Sequence, residues 1–146
     1  MKPLASADLP SGEIYLSLRP EYRPRVITHK EARRIGIGDR VTLLFEDRET
    51  VRYQILEMAR VEGARTPAQI QTELDAYNEL VPGRAELSAT LFIEIPDLEA
   101  IRPELDRLIG IDECVQRVLG EAPDEESITA DFDRRQLEAD RISAVH

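Results

Sequence analysis

Along the chain, apolar positions switch between helical and strand spacing, and proline, glycine and capping residues mark the changes. Ser11 precedes a short apolar-periodic stretch, Ile14, Tyr15 and Leu18, and is placed to cap a helix there. Pro20 and Pro24 predict a break, because an interior proline removes a hydrogen bond and crowds the preceding turn. A second helix is expected from about Pro24 to Arg34, with Tyr22, Val26 and His29 on one side. Gly36 and Gly38 punctuate its exit, and Asp39–Glu46 reads as a buried strand.

Arg48–Glu62 carries the clearest helical period, with Val51, Ile55, Met58 and Ala59 on one face. Thr66, Pro67 and Gln69 form a capping-box signature that opens a further helix with Ile70, Leu74 and Tyr77 as its stripe. Leu87, Ala89, Leu91, Ile93 and Ile95 alternate with Ser88, Thr90, Phe92 and Glu94, the period of a half-buried strand. Asp97 caps a helix through Leu98, Ile101, Leu105 and Leu108, with Pro103 an awkward interior member. Cys114–Leu119 and Arg141–Val145 are shorter strand candidates. The interspersed elements predict an α+β fold, a small mixed or antiparallel sheet of three to four strands packed against four to five helices. Residues 1–120 are expected to form one domain, with 121–146 an acidic C-terminal segment or a truncated continuation of it.

Composition narrows the class. Apolar types make up 42% of the 146 residues, enough for a core, while aromatics at 5% and the absence of Trp leave that core to Leu, Ile and Val. Apolar runs fall far short of the roughly 18 residues of a membrane span, and no secretory pattern opens the chain, so a cytoplasmic protein is expected. Cys114 is alone, which excludes an internal disulfide. The formal charge of −10 disfavours nucleic acid and anionic membrane as partners. The charge is uneven: the segment through Arg34 is net basic and the one from Gly120 onward net acidic. Two solvated surfaces explain this, and so would an acidic tail folded over the basic segment.

Three blocks, RPEYRPRVITHKEARRI (19–35), GDRVTLLFEDRETVRYQILEMARVE (38–62) and ELDAYNELVPGRAELSATLFIEIP (73–96), together resemble the bacterial "domain of unknown function 3501" family. The terminal RISAVH (141–146) looks like the start of a family segment that continues into another strand, and here the chain stops. The resemblance implies, through gene neighbourhood, a link to rubrerythrin-like and iron–sulfur electron-transfer proteins, and so to peroxide or redox physiology. It implies no catalytic residue.

On the Arg48–Glu62 helix, Glu49, Arg52, Tyr53, Glu57 and Arg60 fall within an arc of roughly 140°. Alternating charges at this spacing describe a solvated face. They also describe an arginine-lined site for an anion or partner, which Arg19, Tyr22 and Arg23 would join if the N-terminal helices pack alongside. Glu62 projects toward the apolar side. There it either reaches water from a frayed last turn or, if buried beside an arginine, becomes an acid–base candidate.

His29 reads first as a packed, hydrogen-bonded histidine. A metal site would need His146 as a second imidazole and Glu57 or Glu62 as oxygen ligands, and no spacing demands it. No HExxH, paired Cys or Glu-x-x-His motif is present, so any rubrerythrin-like protein would be a partner rather than a likeness. GIGD at Gly36–Asp39 is a turn, and the acids beside Cys114 disfavour a reactive thiolate.

These readings converge on a non-enzymatic accessory protein that engages a protein partner or small anion through arginine-rich helix faces. Self-association as a homodimer through a sheet edge is compatible with it. No cofactor and no metal are implied. The competing reading is an enzyme with Glu57 or Glu62 as acid–base and Arg52 or Arg60 holding an anionic substrate.

Overall fold

The computed structural model describes residues 1–119, 126–133, 137–138 and 141–142. The chain divides into two compact units, Met1–Glu94 and Ile95–His146, a division earlier than the expected boundary after residue 120.

The first unit opens with an extended segment and a single 3-10 turn, Ser6–Asp8. Helix α1 follows over Gly12–Glu31, capped by Ser11, whose hydroxyl accepts from the Ile14 amide. It runs unbroken through both Pro20 and Pro24, so the expected pair of helices is one. The reason lies in which carbonyls the prolines leave unpaired. Those are the carbonyls of Leu16 and Pro20, four residues back in each case. Leu16, Pro20 and Pro24 share the exposed face of α1, where solvent can take the place of the missing donors. The opposite face, Tyr15, Arg19, Tyr22, Val26 and His29, is the covered one and holds the helix in place.

Strands β1 (Arg34–Ile37), β2 (Val41–Phe45) and β3 (Ala89–Ile93) form an antiparallel sheet in that order. β1 lies where the sequence suggests only a glycine-punctuated exit. Its hairpin with β2 pairs Arg34 with Leu44 and Ile37 with Val41. Gly38 starts the turn at φ +60°, a left-handed conformation that glycine adopts without strain. β2 and β3 pair Val41 with Ile93 and Phe45 with Ala89, across helices α2 (Arg48–Val61) and α3 (Pro67–Tyr77).

Thr66 and Gln69 close the expected capping box of α3, with Pro67 at its first turn. The core of this unit joins Val51 and Ile55 of α2 to Leu74 of α3, Val81 and Leu4. Leu4 reaches it from the N-terminal segment because Asn78 pairs with its backbone as a strand would. The Leu4 amide donates to Asn78 Oδ1 and Asn78 Nδ2 donates to the Leu4 carbonyl, both at 2.8 Å.

In the second unit Asp97 caps a 3-10 turn, Leu98–Ala100, that leads into the short helix α4, Ile101–Arg107. Pro103 falls in the first turn of α4, where its missing N–H is not required. β4 (Gln116–Leu119) pairs antiparallel with β5 (Glu126–Thr129), a strand not foreseen in the polar segment. β6 (Leu137–Glu138) pairs with β7 (Arg141–Ile142), which starts the expected terminal strand. The rest of that strand, His146 and most of the acidic PDEE stretch lie outside the described residues. The fold is α+β, and among the described residues the largest sheet is antiparallel and three-stranded.

Candidate functional site

The charged arc of α2 is not a solvated face; it packs on α1. Glu57 sits at the centre of that contact. Arg19 holds it with two parallel bonds, Nε to Oε1 at 2.7 Å and Nη2 to Oε2 at 2.9 Å. Arg60, one turn along α2, adds bonds of 3.3 and 3.1 Å to the same two oxygens. The Tyr15 hydroxyl donates to Oε1 at 2.5 Å. The Arg19 guanidinium foremost, then Arg60 and Tyr15, hold the Glu57 carboxyl down at about 2 against the opposing effect of burial. Burial and the bond to Glu57 push the Tyr15 phenol well above its usual range. Glu57 is therefore a fixed carboxylate with both oxygens engaged, poorly suited to exchanging protons near neutral pH.

Tyr22 links this clamp to a second group. Its ring meets Tyr15 edge-on at 6.2 Å and Tyr53 at 5.9 Å. Lys30 stands 5.3 Å from the Tyr53 ring centre, and burial lowers the lysine's pKa. Arg52 lies over the Tyr22 ring at 5.5 Å and donates from Nη1 to the Tyr22 hydroxyl at 3.3 Å. Its Nε donates to the Asp8 carbonyl at 3.0 Å, so the same side chain also fastens the N-terminal segment. Burial, followed by the nearby Glu49 carboxylate, pushes the Tyr22 phenol up to about 12, so it stays a neutral hydroxyl.

Of the arginines on α2, Arg48 pairs with Asp8 at 2.7 Å and Arg60 with Glu57. Arg52 has no carboxylate partner among the described residues. It opens onto a cleft of about 140 Å³ between α1, α2 and Pro10.

The structure thus brings together Arg19, Tyr22, Arg52, Tyr53, Glu57 and Arg60 of the sequence candidates. Arg23 points away on the exposed face of α1 and does not join them. Glu62 is the exposed C-cap of α2, at the opposite end from Asp47. It meets not an arginine but Glu73 of α3, whose carboxyl is raised by burial and by its hydrogen bond with Glu62.

His29 is hydrogen-bonded, as its place beside Val26 suggests. Its Nε2 lies 2.8 Å from Asp47 Oδ2 and 3.0 Å from Arg33 Nε. A proton on Nε2 directs it to Asp47; a proton on Nδ1 leaves Nε2 to accept from Arg33. Asp47 caps α2, its Oδ1 accepting from the Glu49 and Thr50 amides at 2.9 Å each, and Arg33 pairs with Oδ2. Burial pulls the Asp47 carboxyl up, but the Thr50 amide, His29 and Arg33 together hold it below the ordinary range. Next to it the buried Glu46 accepts from the Thr50 and Thr90 hydroxyls.

Of this network the sequence points to His29 alone; Asp47, Arg33 and Glu46 carry no motif. The one signal that could have found the rest is Asp47 standing three residues before Thr50 at the start of an apolar-periodic run. The spacing of Tyr15 marks only an apolar stripe residue, and nothing in it signals that its hydroxyl meets Glu57.

Among the described residues no helix is long and apolar enough to cross a membrane. A crystal structure of a novel protein of unknown function from Burkholderia pseudomallei K96243 is similar to this chain. The two share 42% sequence identity at a TM-score of 0.77, over 87% of this chain and 70% of that one. No curated protein matches. The profile of the family described as "Protein of unknown function (DUF3501)" matches residues 3–146, and the chain belongs to that family.

Proposed function

We propose that this protein is a cytoplasmic, non-enzymatic accessory protein that engages an anionic group, on a protein partner or free in solution, through the α1/α2 face. The observation that carries this reading is Arg52, a guanidinium without a carboxylate partner among the described residues and open to a cleft. A planar fork in that state suits a carboxylate or phosphate. The enzyme alternative loses support from the same face, because Glu57 is locked ionised between two arginines. The partner class suggested by the family resemblance is a rubrerythrin-like or iron–sulfur protein. Self-association belongs to the same reading, since Ile35 and Ile37 are exposed on the edge strand β1.

The test is a thermal-shift titration with phosphate, sulfate and carboxylates, and with a purified rubrerythrin-like protein, on the parent and Arg52→Ala. A ligand of the native state raises Tm as its concentration rises. A rise in the parent that is lost in Arg52→Ala supports the reading; no response to any anion or to the partner overturns it. Sedimentation of the parent at high concentration checks self-association, and monomer alone removes that part.

A further inference from the structure

We propose that the cleft bounded by Arg52, Tyr22, Arg25 and Leu56 binds a monocarboxylate carried on a short apolar stem; this rests on the anion-binding reading above. The charge argument comes first. Arg52 spends Nε on the Asp8 carbonyl and one bond from Nη1 on Tyr22, and no protein acceptor takes Nη2 among the described residues. Arg25 lines the α1 side of the same cleft, with Glu21 one helical turn before it. By contrast Arg19, Arg48 and Arg60 all face carboxylates. Two guanidinium groups at one opening attract an anion, against the opposing charges of Glu21 on the rim and of Glu49, whose carboxylate faces the Tyr22 hydroxyl.

The walls then choose among anions. Leu18, Leu56 and Pro10 present apolar surface beside the guanidinium, which a fully hydrated inorganic anion would leave wet. Glu21 on the rim opposes a multiply charged ligand more than a singly charged one. The volume, about 140 Å³, is that of roughly five water molecules. Drug-sized and nucleotide-sized ligands need cavities of about 300 Å³ or more. What fits is one carboxylate with a few methylenes, either a free short-chain acid or a glutamate side chain of a partner.

The experiment is an NMR titration of the full chain with acetate, butyrate, hexanoate, inorganic phosphate and a capped peptide bearing one glutamate. The expected result is a Kd that falls roughly fourfold per added methylene until the cleft is filled. Shifts should centre on Tyr22 and Arg52, and phosphate should bind more weakly than butyrate. Arg25→Gln, at an exposed position that leaves the fold intact, should weaken butyrate about tenfold. Glu21→Gln should tighten it. Peptide binding stronger than that of any free acid assigns the carboxylate to a protein partner; the reverse assigns it to a small molecule.

A Kd independent of stem length, or unchanged by Arg25→Gln, overturns the proposal. Phosphate binding as tightly as butyrate overturns it while leaving the broader anion reading in place. No binding by any of these probes, with Arg52-dependent binding of a purified protein partner retained, does the same.

Discussion

Arg19 and Glu57 meet across the α1/α2 interface in a two-bond grip, 2.7 and 2.9 Å, although 38 residues separate them in the chain. That geometry joins two planar groups edge to edge, and Arg60 and Tyr15 complete the coordination of the carboxylate. The pair fixes how far α1 is rotated about its axis, and so places Tyr22 against Arg52.

The clamp sets an acid limit on stability. The Glu57 carboxyl lies lower in the folded protein, at about 2, than its ordinary 4.5. Its contribution is therefore complete above 4.5 and is lost as pH falls through about 2. Glu57→Gln should lower Tm at pH 7 by roughly 3–8 °C, the shift that about 1 kcal/mol produces in a domain of this size. Between pH 4.5 and 2 the gap to the parent should narrow. Thermal melts across that range check it, and a gap that stays constant would show that the clamp contributes no ionic stabilisation.

Glu73 works in the opposite sense. Burial and then Glu62 raise its carboxyl above 4.5 in the folded state, so its stabilisation is complete below 4.5 and lost as pH rises through the folded value. Glu73→Gln should match the parent near pH 4 and exceed it in stability at pH 8, and Glu62→Gln should act in the same direction. Urea unfolding at the two pH values is the measurement. A Glu73→Gln protein less stable than the parent at pH 8 would contradict this account.

Asp47 caps α2 and anchors both His29 and Arg33. Replacement by Ala removes the acceptor for two amides and should cost about 1–2 kcal/mol, the upper range for a helix cap. Asp47→Asn keeps an oxygen for the Glu49 and Thr50 amides and should recover part of the loss. Paired denaturant melts decide between them, and equal losses in the two variants would mean that the ion pair with Arg33, not the cap, dominates.

Pro20 offers a stabilising substitution. α1 is a continuous helix there, so Pro20→Ala restores a donor to the Leu16 carbonyl and removes the ring from the turn. It should stabilise the protein by about 1–3 kcal/mol, below the full interior-proline penalty because the unfolded chain also gains freedom. A fall in Tm would contradict this account.

What the sequence by itself determined is local. Ser11, Thr66 and Asp97 cap where short-range hydrogen-bonding rules place them, and the Val51–Ile55–Ala59 spacing defines the buried side of α2. The alternation from Ala89 to Ile93 marks β3. These depend on neighbours within one or two turns, which the order of residues states directly.

The tertiary structure decided everything that depends on which faces meet. Two prolines that read as a helix break are tolerated because packing leaves their orphaned carbonyls on the exposed face of α1. A charged arc that reads as solvated is closed by α1, which turns Glu57 from a candidate base into a fixed ion. Arg52 becomes the candidate ligand group because α1 and the N-terminal segment occupy its neighbours' charges and leave its own exposed. Such outcomes turn on distances between residues tens of positions apart, where desolvation and pairing compete, and no local pattern encodes that balance.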